Sequence, residues 1–239
     1  MTRTPEQAFS DELARDAGRP FITFYDGASG ERSELSVRSL ANWVAKTHHL
    51  LTDELGLGAG DAALIALPAH WISVPAVLGC LTAGLSLSTD AGSAAVAFVG
   101  PDAVVSSDGV PDTYAVNPAS AAIGFGDVAP AGTLDYVSSV RPQPDKWPTV
   151  RFGAGPDDEC LDGRTRAEVS AAAESRAGEL GLPRGARVLS AREWAGPDDW
   201  MDTLLAPLVI GGSLVYARNY TDSEALERVA EQERVTVRI

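Results

Sequence analysis

The sequence predicts an α/β fold in which mostly parallel sheets are flanked by helices. Short runs of apolar, β-branched and aromatic residues alternate along the chain with segments that have the apolar periodicity of amphipathic helices. One stretch has the pattern of a strand, a helix and a second strand at 62–67, 70–83 and 85–87. Because that order usually builds a parallel βαβ unit, it indicates a parallel sheet.

The first helix is marked by its own capping residues. Thr4 precedes Pro5 and stands three residues before Gln7, which is the pattern of a capping box with proline at the first helical position. Gly18 ends this helix. The further predicted helices lie at 36–51, 133–140, 165–180, 197–210 and 223–232. The further predicted strands lie at 21–25, 95–99, 103–106, 188–190, 213–217 and 235–239.

One region with little regular secondary-structure pattern bears on the domain organisation. Between 110 and 156 proline, glycine and alanine dominate the composition, and regular periodicity fades. We therefore expect a single α/β domain over 1–239, with a division into two lobes near 141–156 as the alternative.

The chain is strongly acidic, with 33 Asp and Glu residues against 19 Lys and Arg residues and a net charge of -14. This charge repels nucleic-acid phosphates and anionic lipids, so we expect no nucleic-acid and no membrane partner. The apolar stretch 71–87 is interrupted by proline and glycine and is too short to span a bilayer. The absence of a leader pattern and two widely spaced cysteines, interpreted as reduced thiols, predict a cytoplasmic protein.

Three kinds of polar residue on predicted helices could carry chemistry. His48 and His49 are neighbours that point about 100° apart, so they cannot share one metal ion, and we expect a solvated or half-buried pair. His70 opens a predicted helix, but the sequence places no nucleophile and no orienting acid beside it. Cys80 lies on an apolar helix face and is expected to be an inert core residue.

Other groups are open to both a functional and a structural interpretation. The acidic run 157–159 could hold a cation, but we expect a solvated charge run. Cys160 follows it in a predicted acidic loop, a setting that discourages thiolate reactivity. Trp194 and Trp200 could line a pocket, although packing of a helix on the core explains them more simply. These patterns assign no catalytic, cofactor-binding or metal-binding residue.

Two segments of the chain resemble the adenylate-forming superfamily, which includes the acyl-CoA synthetases. The first segment carries, in order, Gly30-Glu31, Leu35-Ser36, the turn from Gly56 to Asp61, the strand 64–67 and Ala83-Gly84. The second segment carries Arg187 to Ser190, Gly211-Gly212 and Glu233 to Thr236. The chain is also similar to short, uncharacterised actinobacterial relatives of that superfamily.

The resemblance implies a truncated N-terminal, AMP-binding-like domain of an acyl-CoA synthetase. The superfamily places a Ser/Thr/Gly-rich loop with a lysine between the two segments, where backbone N–H groups and the lysine hold the phosphates of ATP. In this chain 153–165 contains four acidic residues and no lysine, and Arg164 and Arg166 are the basic residues nearby. The superfamily's later motifs and its small C-terminal domain with the catalytic lysine have no counterpart before Ile239.

Three interpretations of function remain open. The favoured one is a non-catalytic relative that acts as an interaction or regulatory protein. The others are a small-molecule binder for an acyl group or an adenine nucleotide, and half of an acyl-CoA synthetase completed in trans. No cofactor is expected. Val235, Val237 and Ile239 alternate with polar residues, so if that strand lies at a sheet edge we expect a homodimer or a protein partner there.

Overall fold

The structure is a computed structural model that describes residues 3–120, 122–126 and 128–239. The chain divides into two compact units, Met1–Leu40 with Ala167–Ile239 and Ala41–Arg166. The expectation of a single domain, with a division into two lobes near 141–156 as the alternative, stays a prediction, because compactness alone does not show which part folds alone.

The strands, in chain order, are β1 Pro20–Asp26, β2 Arg32–Ser36, β3 Ala62–Ala66, β4 Ser86–Ser88, β5 Val96–Val99, β6 Asp112–Ala115, β7 Leu134–Asp135, β8 Glu159–Leu161, β9 Arg164–Thr165, β10 Arg187–Ser190, β11 Ser213–Arg218 and β12 Val237–Arg238. The α-helices are α1 Pro5–Asp16, α2 Val37–His49, α3 Ser73–Ala83, α4 Tyr136–Val140, α5 Arg166–Glu179, α6 Pro197–Trp200, α7 Ala206–Val209 and α8 Ser223–Gln232. Short π-helical segments extend α2 at Leu50–Glu54 and join α6 to α7 at Met201–Leu205. No helix in the described part of the chain is long and apolar enough to cross a membrane.

The first unit is built on a sheet with the strand order β12-β10-β11-β1-β2. β12, β10, β11 and β1 pair in parallel, and β2 pairs with β1 in antiparallel fashion. The capping box predicted for α1 is confirmed, because the backbone N–H of Thr4 donates to the Gln7 side chain and the N–H of Gln7 donates to the Thr4 hydroxyl. Phe9 of α1 then packs edge-on against Phe21 of β1, with 5.8 Å between ring centroids.

The second unit is built on a sheet with the strand order β7-β6-β5-β3-β4-β8-β9. All neighbouring pairs are parallel except β8 and β9, which form an antiparallel hairpin. The predicted βαβ unit is confirmed as β3, α3 and β4, and the two strands are adjacent and parallel. Gly84 ends α3 with a left-handed φ of 102°, a conformation that favours glycine. The mostly parallel α/β fold predicted from the sequence is therefore confirmed.

Three predicted elements need correction. The strand predicted at 103–106 is wrong, because Pro101–Ser107 forms a 3₁₀ helix with the proline in its first turn. The helix predicted at 133–140 is shorter than expected, because strand β7 occupies Leu134–Asp135 and the helix α4 covers only Tyr136–Val140. The Asp135 side chain caps α4 by accepting a hydrogen bond from the backbone N–H of Ser138. The helix predicted from His70 begins at Ser73.

The last strand lies at an edge of the first sheet, since in the described chain β12 pairs with β10 on one side only. It is shorter than the predicted strand 235–239. Val235, Val237 and Ile239 are half-buried and alternate with exposed residues, as the sequence pattern predicts. Arg238 points back to α8 and forms a two-pronged ion pair with Glu227 at 2.5 and 2.6 Å.

Candidate functional site

The segment 153–165, where the resemblance implies a phosphate loop, forms a short loop followed by the β8–β9 hairpin. Asp162 and Gly163 make the hairpin turn with φ values of 52° and 72°. Two consecutive positive φ values are typical of the tight two-residue turns that join antiparallel strands. The second half of the segment is therefore committed to a hairpin rather than to an open loop.

The loop before the hairpin is closed by the chain's own carboxylate. The backbone N–H of Gly155 donates to the Asp158 carboxylate at 2.7 Å, and the N–H of Asp158 donates to the Gly155 carbonyl at 3.2 Å. The N–H of Gly153 donates to the Thr82 carbonyl at 3.0 Å. These three backbone N–H groups are thus engaged internally. The predicted solvated charge run is confirmed, because residues 157–159 are exposed.

Gly153 fixes the position of this loop on the end of α3. A Cβ atom at Gly153 would lie 1.9 Å from the Ala83 carbonyl oxygen and 3.1 Å from the Gly84 nitrogen. Both atoms belong to the backbone, so the clash could not be relieved by a side-chain rotation. The absence of a side chain at this residue is therefore needed for the close approach.

The two arginines near the loop have local partners. Arg166 is fully buried and donates to the carbonyls of Leu81 and Leu85, each at 3.0 Å. It thereby binds one carbonyl in the last turn of α3 and one in the segment that follows the helix. Arg164 lies 3.8 Å from the Asp162 carboxylate. The guanidinium of Arg166 is thus bound to backbone carbonyls within the second unit.

The structure corrects the interpretation of the two neighbouring histidines. His48 and His49 are both buried, with 3% and 7% of their surface exposed, so they do not form a solvated or half-buried pair. Burial, and secondarily the neighbouring His49, lowers the pKa of His48 to about 4. In the described chain the Nδ1 atom of His48 has no hydrogen-bond partner. His48 is therefore a neutral core side chain near neutral pH.

His49 joins two residues that lie far apart in the sequence. Its Nδ1 atom lies 2.8 Å from the Asp53 carboxylate, and its Nε2 atom lies 2.9 Å from the Thr149 hydroxyl. The hydrogen bond with His49 is the largest cause of the lowered pKa of Asp53. This arrangement was not predicted from the sequence. The spacing of four residues between His49 and Asp53 could have indicated one half of it, whereas nothing in the sequence indicated Thr149.

The other candidate residues have structural environments. His70 is buried, and its Nδ1 atom accepts a hydrogen bond from the backbone N–H of Ile72 at 3.1 Å. Cys80 is confirmed as a core residue, and burial raises the pKa of its thiol. The placement of Cys160 in a loop is wrong, because this residue is buried within β8. In the described residues no group of three or more His, Cys, Asp or Glu side chains could hold a metal ion.

The two tryptophans of the first unit pack in its core. Trp194 is 8% and Trp200 is 1% exposed. The indole N–H of Trp194 donates to the Thr203 hydroxyl at 2.8 Å, and its ring meets Tyr216 edge-on with 6.0 Å between centroids. These contacts favour the packing interpretation over a pocket.

Comparison with solved structures shows the same fold in three enzymes. An acyl-CoA synthetase of Brucella canis matches 98% of the chain with a TM-score of 0.79 and 14% sequence identity. The acetoacetyl-CoA synthetase of Streptomyces lividans matches 98% with a TM-score of 0.78 and 17% identity. The anthranilate CoA ligase AuaEII in complex with anthranoyl-AMP matches 90% with a TM-score of 0.68 and 14% identity. The chain spans 46%, 42% and 45% of these proteins, respectively.

Comparison of sequences gives one curated relative of nearly the same length, and no family model matches the chain. This relative is the TIGR03089 family protein of Mycobacterium tuberculosis, which is 38% identical over 230 residues, or 94% of the chain and 93% of the relative. The resemblance to adenylate-forming enzymes and to an actinobacterial relative is thus confirmed. The chain belongs to the TIGR03089 family and has the fold of the N-terminal part of acyl-CoA synthetases.

Proposed function

We propose that the protein is a relative of the adenylate-forming enzymes that does not adenylate carboxylic acids and acts as an interaction or regulatory protein. The observation that carries the proposal is the hydrogen bond from the Gly155 backbone N–H to the Asp158 carboxylate. A carboxylate of the chain takes a backbone donor in the loop where the resemblance implies that phosphates would be held.

Electrostatics supports the same proposal. Transfer of an adenylyl group requires charge stabilisation around a metal-bound triphosphate. The exposed carboxylates of Asp157, Asp158 and Glu159 would instead repel a triphosphate at this loop. Arg166 is fully buried, and its guanidinium is engaged with the carbonyls of Leu81 and Leu85.

Pyrophosphate exchange tests the proposal. The purified chain is incubated with ATP, Mg²⁺, labelled pyrophosphate and a panel of short, long and aromatic carboxylic acids, with an active acyl-CoA synthetase as the positive control. We expect exchange at background level for every acid. Exchange clearly above background with the chain alone would refute the proposal.

A binding measurement separates loss of chemistry from loss of nucleotide binding. We expect the dissociation constant for ATP to be above about 10 µM, which corresponds to a binding free energy of less than about 7 kcal/mol in magnitude. The double variant D157N/E159Q removes two charges and leaves the Asp158–Gly155 hydrogen bond in place. If repulsion limits binding, ATP affinity rises in this variant, whereas equal affinity would show that the acidic run is not the cause.

A small-molecule binder is the second candidate. The observation that favours it is that a ligase in complex with anthranoyl-AMP shares the fold over 90% of the chain. A ligand that binds only the folded form raises the melting temperature. Melting curves with AMP, CoA, acyl-CoA and acyl-adenylate analogues therefore test this candidate, and an unchanged melting temperature with every ligand at millimolar concentration argues against it.

A further inference from the structure

Asp53, His49 and Thr149 form a continuous hydrogen-bonded chain in the second unit. The Asp53 carboxylate lies 2.8 Å from Nδ1 of His49, and the Thr149 hydroxyl lies 2.9 Å from Nε2 on the opposite side of the ring. This is the order of an orienting acid, a base and a nucleophile. We propose that the Thr149 hydroxyl is an acyl acceptor that reacts with small activated carboxylic esters, with His49 as its general base.

Asp53 sets the proton arrangement of the imidazole. An ionised carboxylate only accepts hydrogen bonds, so the Nδ1 atom of His49 must carry the proton. In the neutral ring the Nε2 lone pair then faces the Thr149 hydroxyl. The distance of 2.9 Å lies within the reach at which a base can take a proton from a hydroxyl.

The base is buried and the nucleophile is exposed, which is the arrangement that this chemistry needs. His49 is only 7% exposed and lies where α2 passes into the π-helical segment Leu50–Glu54, so packing holds its ring in place. Thr149 is exposed in the 3₁₀ turn Trp147–Thr149. An ester can therefore approach the hydroxyl from solvent while the base stays shielded.

The hydroxyl proton of Thr149 has a second acceptor, the Lys146 carbonyl at 2.7 Å. When His49 is protonated, its Nε2–H donates to the Thr149 oxygen, and the hydroxyl donates to the carbonyl. When His49 is neutral, the hydroxyl can donate to Nε2 and becomes the activated species. The hydroxyl must therefore turn from the carbonyl to Nε2 of neutral His49 before it reacts.

The ionisable groups around His49 lie on two elements. Asp53 contacts Nδ1, and the His48 ring meets the His49 ring edge-on with 5.1 Å between centroids. Lys146 and Arg151 flank Thr149 along the facing segment. Because burial keeps His48 neutral near pH 7, Asp53 is the charged group in direct contact with the ring.

The reaction balances without a cofactor. The Thr149 Oγ atom forms a bond to the ester carbonyl carbon while its proton passes to Nε2 of His49. The bond from that carbon to the leaving oxygen then breaks, the alcohol or phenol departs with the proton, and an ester remains on Thr149. The backbone N–H groups of Thr149 and Val150 are engaged with the carbonyls of Lys146 and Trp147, so this turn offers neither to a developing oxyanion. We therefore expect slow acylation and a persistent ester rather than rapid turnover.

A matched threonine in the same unit provides an internal control. Thr133 also donates to the carbonyl three residues earlier, Pro130, at 2.7 Å. None of the contacts described for Thr133 is with a histidine. The intact protein is treated with p-nitrophenyl acetate, and acetylation is located by peptide mass spectrometry. General-base catalysis predicts at least about 100-fold more acetylation at Thr149 than at Thr133.

Variants identify the base and the positioning residue. T149S is expected to keep acetylation, whereas T149A and H49Q are expected to abolish the adduct at this turn. D53N is expected to lower acetylation, because the carboxylate that accepts from Nδ1–H and positions the ring is lost, and the conservative variant D53E is expected to restore part of it. Acetylation at Thr149 that does not exceed that at Thr133 in the unmodified sequence, or that persists in folded H49Q, would overturn the proposal.

Discussion

The Arg187 guanidinium and the Glu233 carboxylate form an almost buried ion pair that joins β10 to the end of α8. The side chain of Arg187 is 16% exposed and that of Glu233 is 7% exposed. Glu233 also accepts hydrogen bonds from the Tyr25 hydroxyl at 2.5 Å and from Arg32 at 2.9 Å. Burial alone would raise the pKa of Glu233, but these donors outweigh it and lower the pKa. Through Tyr25, Arg32 and Arg187, the Glu233 carboxylate thus connects strands β1, β2 and β10 of the first unit to the end of α8.

Replacement of Glu233 by alanine is expected to destabilise the first unit strongly. Arg187 would lose its buried counter-charge, and removal of one partner from a buried ion pair costs about 3 kcal/mol or more. Urea unfolding followed by circular dichroism measures the change. The exposed Glu227, which pairs with Arg238, provides the matched control, and E227A is expected to leave the midpoint unchanged. Equal midpoints for E233A and E227A would contradict the prediction.

Local features of the fold were predictable from the sequence, and features that join distant residues were not. The capping box of Thr4 and Gln7 depends on residues three apart, and the pattern for α8 spans one amphipathic helix with the predicted bounds 223–232. At 103–106 two valines favoured a strand, but Pro101 directs the chain into a 3₁₀ turn. The contact between His49 and Thr149 spans 100 residues and depends on the tertiary fold.

Burial of neutral His48 predicts a loss of stability in mild acid. The pKa of His48 falls from an ordinary 6.5 to about 4 in the folded chain, so the unfolded chain binds more protons between these values. Neutral His48 makes its full contribution to the free energy of unfolding above about pH 6.5. This contribution, about 2 kcal/mol after allowance for solvent screening, is lost as the pH falls toward about 4. Urea unfolding at a series of pH values measures the slope. We expect the slope between pH 6.5 and 4 to be smaller in H48N than in the parent chain, and an identical slope would contradict the assignment.

Substitution of Gly153 by alanine is expected to displace the loop that precedes β8. The added Cβ would lie 1.9 Å from the Ala83 carbonyl oxygen, so backbone must move, at a cost of at least about 2 kcal/mol. Gly178 lies within α5 and has open space for a Cβ atom. G178A should therefore be neutral or stabilise by about 0.5 kcal/mol. Thermal melting compares the two variants, and the prediction fails if G153A melts at the same temperature as G178A.

Association through the edge strand β12 is expected for the isolated chain, either with a second copy or with a protein partner. β12 pairs with β10 on one side; half-buried Val237 lies in it, and half-buried Val235 and Ile239 lie before and after it. Net charge opposes association, but salt screens charge repulsion beyond about 8 Å, whereas apolar contact and strand pairing act at shorter range. Light scattering at micromolar concentration should therefore give a mass above the 25.0 kDa of a monomer, with a two-fold dimer as the simplest closed assembly.

V237K places a charge on the edge and should shift the mass toward the monomer, because lysine on an edge strand blocks pairing. V105K changes a valine that is 88% exposed in the second unit and should leave the mass unchanged. A monomeric parent chain at every concentration, or equal masses for V237K and V105K, would show that β12 is not the association surface.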